Sequence, residues 1–304
     1  MDKTLKGFPK ISELKKIIMH TSSTVWKQEI TEIEIDRWLD NFKGEVHNQD
    51  IEKLFALWLL ANFVYYNEDE VRHLCKVLMG EFIHKSLIET NTSEQHIEKY
   101  LSEMIAKTYF LPLGKPSESG GYILYYFRQE NNINISSFVL PSDISIIDNI
   151  VVIDDVTLTA GQEGQAYRFL RDLKNKFKNK KIFLLTLIAG ERSIEELKKM
   201  GVEVITAIIL DNRNKCFCKD SYIFHSYPNY IEDCKKIAFH YGNKINSRLP
   251  LGYMGGEYIF GFFYNTPDNT LPIFWGTENG WQPIFMRIDK NYEIKYKGMN
   301  ERFL

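Results

Sequence analysis

The sequence predicts an α/β protein: a parallel sheet with helices on both faces, preceded by a helical region and followed by an aromatic, β-rich segment. Three observations carry this reading. Residues 150–210 alternate apolar, β-branched runs with amphipathic ones, the pattern of strand–helix–strand units whose strands lie side by side. Residues 1–107 instead place apolar side chains at helical spacing. From residue 249 onward, aromatic residues gather among Pro, Gly and Asn. The expected division is a helical region over 1–107, an α/β core over 108–248, and a C-terminal segment over 249–304 that packs on the core.

In the first region Ile11, Leu14, Ile17 and Ile18 mark one helix, Leu54, Leu57, Trp58 and Ala61 a second, and Val71, Leu74, Cys75 and Leu78 a third. Thr31 followed by Glu34 forms a capping box ahead of Trp38 and Leu39. The histidines here are scattered, with no ligand spacing, so this region reads as a helical cap or docking surface. Composition shifts at Phe110, where LPLGKPSESGG gathers Pro, Gly and Ser into a loop ahead of the helical run YILYYFRQE. Ser119 is positioned to cap that helix. Residues 137–140 are a candidate strand.

Beyond residue 170 the basic run at 171–181 reads as a solvated helix end with cations near its C-terminus, ahead of RNA or DNA contact. Strand 182–188, helix 192–200 and strand 202–210 follow, with Gly201 at the helix-to-strand turn. Arg213 lies just past the last of these strands, on the side where such sheets bind ligands; a loop salt bridge is its plainer reading. A helix over 227–244 precedes the aromatic segment. There, strands at 258–264 and 271–275 around a turn with Pro267 would form a hairpin, and 281–287 a third strand.

Composition narrows the function classes. Of the 304 residues, 44% are hydrophobic and 26% charged, and the formal net charge of -2 gives no global cationic field for nucleic acid. The N-terminus lacks an apolar signal-like region, and the apolar runs at 54–66 and 182–189 fall short of the ~18 residues a spanning helix needs. A cytoplasmic protein without membrane contact is expected. The four cysteines have no disulfide-framework spacing; Cys216 and Cys218 form a C-x-C without a second metal-binding pair, so reduced structural thiols are expected.

The chemistry concentrates in IVVIDDVTLTAGQEGQAYRFL, residues 150–170. A strand too apolar for a surface ends in Asp154 and Asp155, and a Thr- and Gly-containing turn over 157–161 then opens a helix. Backbone amides and a helix N-terminus suit a phosphate, while adjacent carboxylates suit ribose hydroxyls or a bound Mg²⁺. Acids that cap the next turn are the plainer account of the same pair.

This stretch resembles the phosphoribosyl-pyrophosphate motif of type I phosphoribosyltransferases. The acids, Thr159 and Gly161 match it; Thr157, Leu158, Ala160 and Gln162 stand where an apolar residue, Thr, Gly and Thr are common. The resemblance implies a type I phosphoribosyltransferase-like fold, with Asp154 and Asp155 on the ribose hydroxyls and on Mg²⁺. Thr157, Thr159, Ala160, Gly161 and Gln162 would take the 5′-phosphate. Lys115, Ser117, Ser119 and Gly120, in the loop one strand earlier, would take the pyrophosphate; alone, that loop reads as an ordinary connector, and beside the acidic motif the two readings stand level. The helical N-terminus, the acidic core and the tail FFYNTPDNTLPIFW followed by W-x-P-x-F-x-R further resemble phosphoribosyltransferase-like proteins of bacterial conflict systems, found in anti-phage operons including retron cassettes. That implies a toxic effector acting at a ribose C1′ bond, with a phosphosugar or nucleotide ligand and with operon proteins or nucleic acid as partners. A nucleotide-sensing subunit without turnover and a scaffold subunit are the alternatives.

Overall fold

The computed structural model describes residues 5, 7–90, 96–115, 118–158, 164–285 and 287. Helices α1 (Ile11–Thr24), α2 (Glu32–Leu39) and α3 (Gln49–Ala61) lead into a short strand β1 (Val64–Tyr66), a long helix α4 (Glu68–Thr90) and α5 (Ile97–Ala106). Then come β2 (Thr108–Pro112), α6 (Ser119–Glu130), β3 (Asn149–Thr157), α7 (Gln165–Lys176), β4 (Lys181–Gly190), α8 (Glu191–Lys199) and β5 (Glu203–Leu210). Helix α9 (Ile231–Ile245) and strand β6 (Phe260–Phe262) complete the order. No described helix is long and apolar enough to cross a membrane.

The sheet follows from its side chains. Ile150, Val151, Val152 and Ile153 are all fully buried, which requires cover on both faces. The strands run parallel in the order β2-β3-β4-β5. Val151, Ile153, Phe183 and Leu185 pack with Leu78 and Phe82 of α4 and Ile123 and Phe127 of α6. Their alternates Ile150, Val152, Ile182 and Leu184 meet Leu170 of α7 and Leu197 of α8. The predicted parallel sheet with helices on both faces is therefore the observed one. Gly201 adopts φ +75 past the end of α8, and the amides of Gly201 and Val202 close back on Lys198 and Leu197 carbonyls.

A second core joins α1, α2, α3 and α9 to the C-terminal segment. Trp38 and Trp281 both donate their indole N–H to the Ile273 carbonyl, at 2.8 and 3.0 Å. Trp38 stacks on Phe274 and Phe63 on Phe285. The Thr31–Glu34 capping box forms as predicted and aims α2 into this core. Within α1, Leu14 and Ile18 are buried while Ile17 is 48% exposed, so the apolar stripe is narrower than the spacing suggested.

Two expected strand regions differ. Residues 137–140 contribute instead to a short 3-10 turn, Ile135–Phe138, started by the Asn134 side chain accepting from the Ser136 amide. Only Phe138 reaches the core, against Phe110, and Val139 is exposed. The C-terminal hairpin is absent among the described residues. Strand β6 pairs in parallel with β1 (Val64↔Phe260 to Tyr66↔Phe262), and Pro272 opens a 3-10 turn where the return strand was expected. Over 281–285 the chain bonds to the Phe274 carbonyl without forming a strand. Aromatic side chains buried in a shared core hold this segment, not a β ladder.

Gly120 sets how closely α6 approaches the sheet, because a Cβ there would lie 2.7 Å from the Leu113 carbonyl and 3.0 Å from that of Ile153. Gly120→Ala is expected to destabilise the protein by about 1–3 kcal/mol through overpacking. Urea unfolding checks this; an unchanged midpoint would show that α6 can lift without cost.

Candidate ligand-binding site

The carboxyl ends of β2 and β3 face a cleft of about 280 Å³. The residues from Asp154 to Leu158 form its floor. Glu118 and Ser119 at the start of α6 form one side, and Gly164, Gln165, Ala166 and Arg168 at the start of α7 another. The Gln165 amide donates to Glu118 at 2.9 Å and ties the two helix starts together. The remaining wall comes from the C-terminal segment: Tyr253, Asn265, Pro267, Asp268, Asn269 and Arg287. Two helix N-termini and a strand end thus converge, as expected where a parallel sheet binds an anionic ligand.

Asp154 and Asp155 are 6% and 7% exposed and sit within β3, near its carboxyl end, rather than beyond it. Asp155 Oδ1 accepts from the Ser119 hydroxyl at 3.0 Å and the Val156 amide at 2.9 Å, and its Oδ2 accepts from the Tyr264 hydroxyl at 3.2 Å. Burial pushes the Asp155 carboxyl above its ordinary value, against the opposing pull of Ser119, Asp154, Tyr264 and Val156. Burial, and then the Asp155 charge, hold the Tyr264 phenol protonated, so it stays a donor. Tyr264 is fixed by stacking on Phe262 and by Tyr122 of α6.

The other predicted residues divide. Ser119 does line the cleft, but Glu118 takes the N-cap position and the Ser119 side chain serves Asp155 instead of capping. Thr157 lines the cleft at 3% exposure, and its hydroxyl has no hydrogen-bond partner among the described residues. Gly120 is buried against the β2 and β3 backbone, away from the cleft lining, and Lys115 is exposed outside it. Ser117, Thr159, Ala160, Gly161 and Gln162 lie outside the described residues. Arg213 closes on Asp211 at 2.5 Å and lies over Tyr222, a loop salt bridge outside the cleft lining. Cys75, Cys216 and Cys234 are buried free thiols, and burial raises the pKa of each. No group of three or more His, Cys, Asp or Glu side chains suited to a metal occurs among the described residues.

Tyr264, which contacts Asp155, and the lining residues Asn269 and Arg287 carried no site signal in the sequence. Tyr264 ends the first strand of the expected hairpin, Asn269 ends its turn, and Arg287 ends the W-x-P-x-F-x-R motif. Only the packing of the tail brings them to β3.

A parallel sheet with paired acids at a strand end, a hydroxyl beside them and two helix starts above is consistent with a phosphoribosyltransferase-like fold. The family model described as PRTase-CE matches residues 35–287, and the chain belongs to that family. No curated protein and no solved structure matches it.

The raised Asp155 value has a stability consequence with a definite sign. Its folded-state value lies above the ordinary 3.8, so its contribution is fully present below that pH and is lost as pH rises through the folded-state value. In Asp155→Asn the amide oxygen can still accept from Ser119 and Val156, while the NH₂ can donate to Tyr264. The variant is therefore expected to melt higher than wild type at neutral pH in EDTA, with the gap closing as pH falls towards about 4. Melting curves across that range test it; a gap independent of pH would contradict the assignment.

Proposed function

We propose that this phosphoribosyltransferase-like protein is an enzyme that transfers or hydrolyses a group at a ribose C1′ bond, acting on a nucleotide, phosphoribosyl pyrophosphate or nucleic acid. In this reading it is the toxic effector of a bacterial anti-phage defence system. The observation that carries the reading is the buried Asp154–Asp155 pair at the end of β3 in the cleft, in a chain of this family.

The reaction needs no protein nucleophile. The bond from C1′ to its leaving group breaks with its electron pair departing on pyrophosphate, or on the base where the substrate is a nucleotide or nucleic acid, and the acceptor or water bonds to C1′ and gives up a proton. The protein's part is to orient the sugar and match charge where it develops. Asp154 and Asp155 would hold the ribose hydroxyls, with Ser119 and Tyr264 fixing the Asp155 carboxylate for that task. Thr157 would offer its unpartnered hydroxyl to the ligand.

Carboxylate and hydroxyl oxygens of Asp154, Asp155 and Thr157 are a hard donor set that fits Mg²⁺, which commonly takes one or two protein carboxylates and completes its shell from water and substrate phosphate. When bound, Mg²⁺ would neutralise charge building on the leaving phosphate.

A second reading, ligand sensing without turnover, draws on Leu158, an apolar cleft residue where this motif commonly has Thr. Calorimetry with phosphoribosyl pyrophosphate and Mg²⁺, joined to product analysis, separates the two: binding with released pyrophosphate supports the enzyme, and binding without product supports the sensor. No binding at millimolar ligand removes both. Asp154→Asn and Asp155→Asn are expected to abolish toxicity in expressing cells while the protein stays folded; undiminished toxicity in both would overturn the effector reading.

A further inference from the structure

The C-terminal wall of the cleft holds one side-chain donor without a partner among the described residues, Asn269, and one whose donors are only partly used, Arg287. Asn269 is 6% exposed, lines the cleft, and its side-chain Nδ2 has no hydrogen-bond partner among the described residues. A buried amide donor left unbonded costs about 1–3 kcal/mol, so such groups are normally satisfied by something. Its backbone is locked. The Asn269 carbonyl accepts from the Tyr258 amide, and Gly252 and Gly256 approach that carbonyl so closely that a Cβ on either would sit 2.4 or 2.5 Å from it. The side chain is therefore set on a rigid turn rather than left loose.

Arg287 stands on the same wall with its side chain only 14% exposed. One Nη donates to the Thr266 carbonyl at 2.6 Å, the other pairs with Asp268 at 3.2 Å, and the guanidinium lies 4.9 Å from the centre of the Trp275 ring. Those bonds use two of the five N–H donors of the fork. A guanidinium oriented on three sides at the edge of a cleft is prepared for a planar or oxyanionic partner. Asp268 offsets part of the charge, so recognition here rests on directed hydrogen bonds more than on bulk attraction.

We propose that Asn269 and Arg287 form an oxyanion subsite, supplied by the C-terminal segment, which takes a phosphate of the ligand other than its 5′-phosphate. The inference rests on the phosphosugar reading of the cleft and adds to it the residues of the opposite wall. Such a phosphate can belong to a pyrophosphate group or to a nucleotide's polyphosphate; the shared chemistry is a phosphoryl oxygen accepting from an amide and a guanidinium.

The test is calorimetric titration of the full chain, in Mg²⁺, with inorganic pyrophosphate, ADP and ribose 5-phosphate separately. Asn269→Asp keeps the shape but replaces the donor by a carboxylate, and Arg287→Lys keeps the charge but removes the fork. Each is expected to weaken pyrophosphate or ADP binding about ten-fold or more while ribose 5-phosphate binding stays within about two-fold. Loss for pyrophosphate alone identifies a pyrophosphate group as the source, and loss for ADP identifies a nucleotide. Melting curves confirm that both variants fold; should Arg287→Lys melt early, Asn269→Asp carries the result alone. Unchanged binding of both phosphate probes in the folded variants, or equal loss for all three probes, overturns the subsite. Wild type that binds ribose 5-phosphate but neither pyrophosphate nor ADP removes the subsite and leaves the phosphosugar reading standing. Wild type that binds none of the three, nor phosphoribosyl pyrophosphate, removes that reading too.

Discussion

The Asp155 carboxylate is the point at which the parts of this molecule meet. A carboxylate removed from water loses several kcal/mol of hydration and can remain charged only if donors surround it. The donors here come from three separate places: Val156 on β3 itself, Ser119 on α6 and Tyr264 on the C-terminal segment. Each must be positioned independently. Gly120 lets α6 come close enough to β2 and β3 for Ser119 to reach, and pairing of β6 with β1 delivers Phe262 and then Tyr264. Moving any of these elements leaves a buried acid without part of its shell.

The C-terminal segment thereby belongs to the core and to the cleft at once. Its aromatic side chains complete the core of α1, α2, α3 and α9, where Trp38 and Trp281 share the Ile273 carbonyl. The same segment walls the cleft with Asn269 and Arg287. Helices far from the sheet in sequence therefore support the cleft indirectly, by fixing the segment that closes it.

The sheet was legible because its signal is local. Four consecutive β-branched residues at 150–153 can be buried on both faces only by a central strand, and the strand–helix alternation after them leaves little topological choice. Asp154, Asp155, Thr157 and Ser119 were legible for the same reason: each adjoins a recognisable element. The tail was not. Its β strand has a partner in β1, a three-residue strand with no pattern of its own, and Pro272 breaks the hairpin that local periodicity suggested. Tyr264, Asn269 and Arg287 gain their positions only through that long-range pairing and the aromatic core. The cap expected of Ser119 failed for a related reason, since a buried carboxylate on another strand outcompetes the helix's own amides for the hydroxyl.

Unsatisfied atoms indicate what the cleft is for. Among the described residues four buried side-chain polar atoms lack a partner, and two of them belong to Thr157 and Asn269, residues of the floor and the C-terminal wall of this one cleft. Trp58 Nε1 and Arg128 Nε lie outside the cleft lining. A surface retained only for assembly would gain by replacing Thr157 and Asn269 with apolar residues of similar shape, removing the desolvation cost with no loss of packing. Retaining both donors in a cavity floored by two carboxylates makes sense when a polar ligand supplies the missing bonds. Leu158, apolar in the same cleft, limits where those bonds can form. The polar contacts are left to the strand end, the helix starts and the tail, the three parts that the proposed polar ligand would meet.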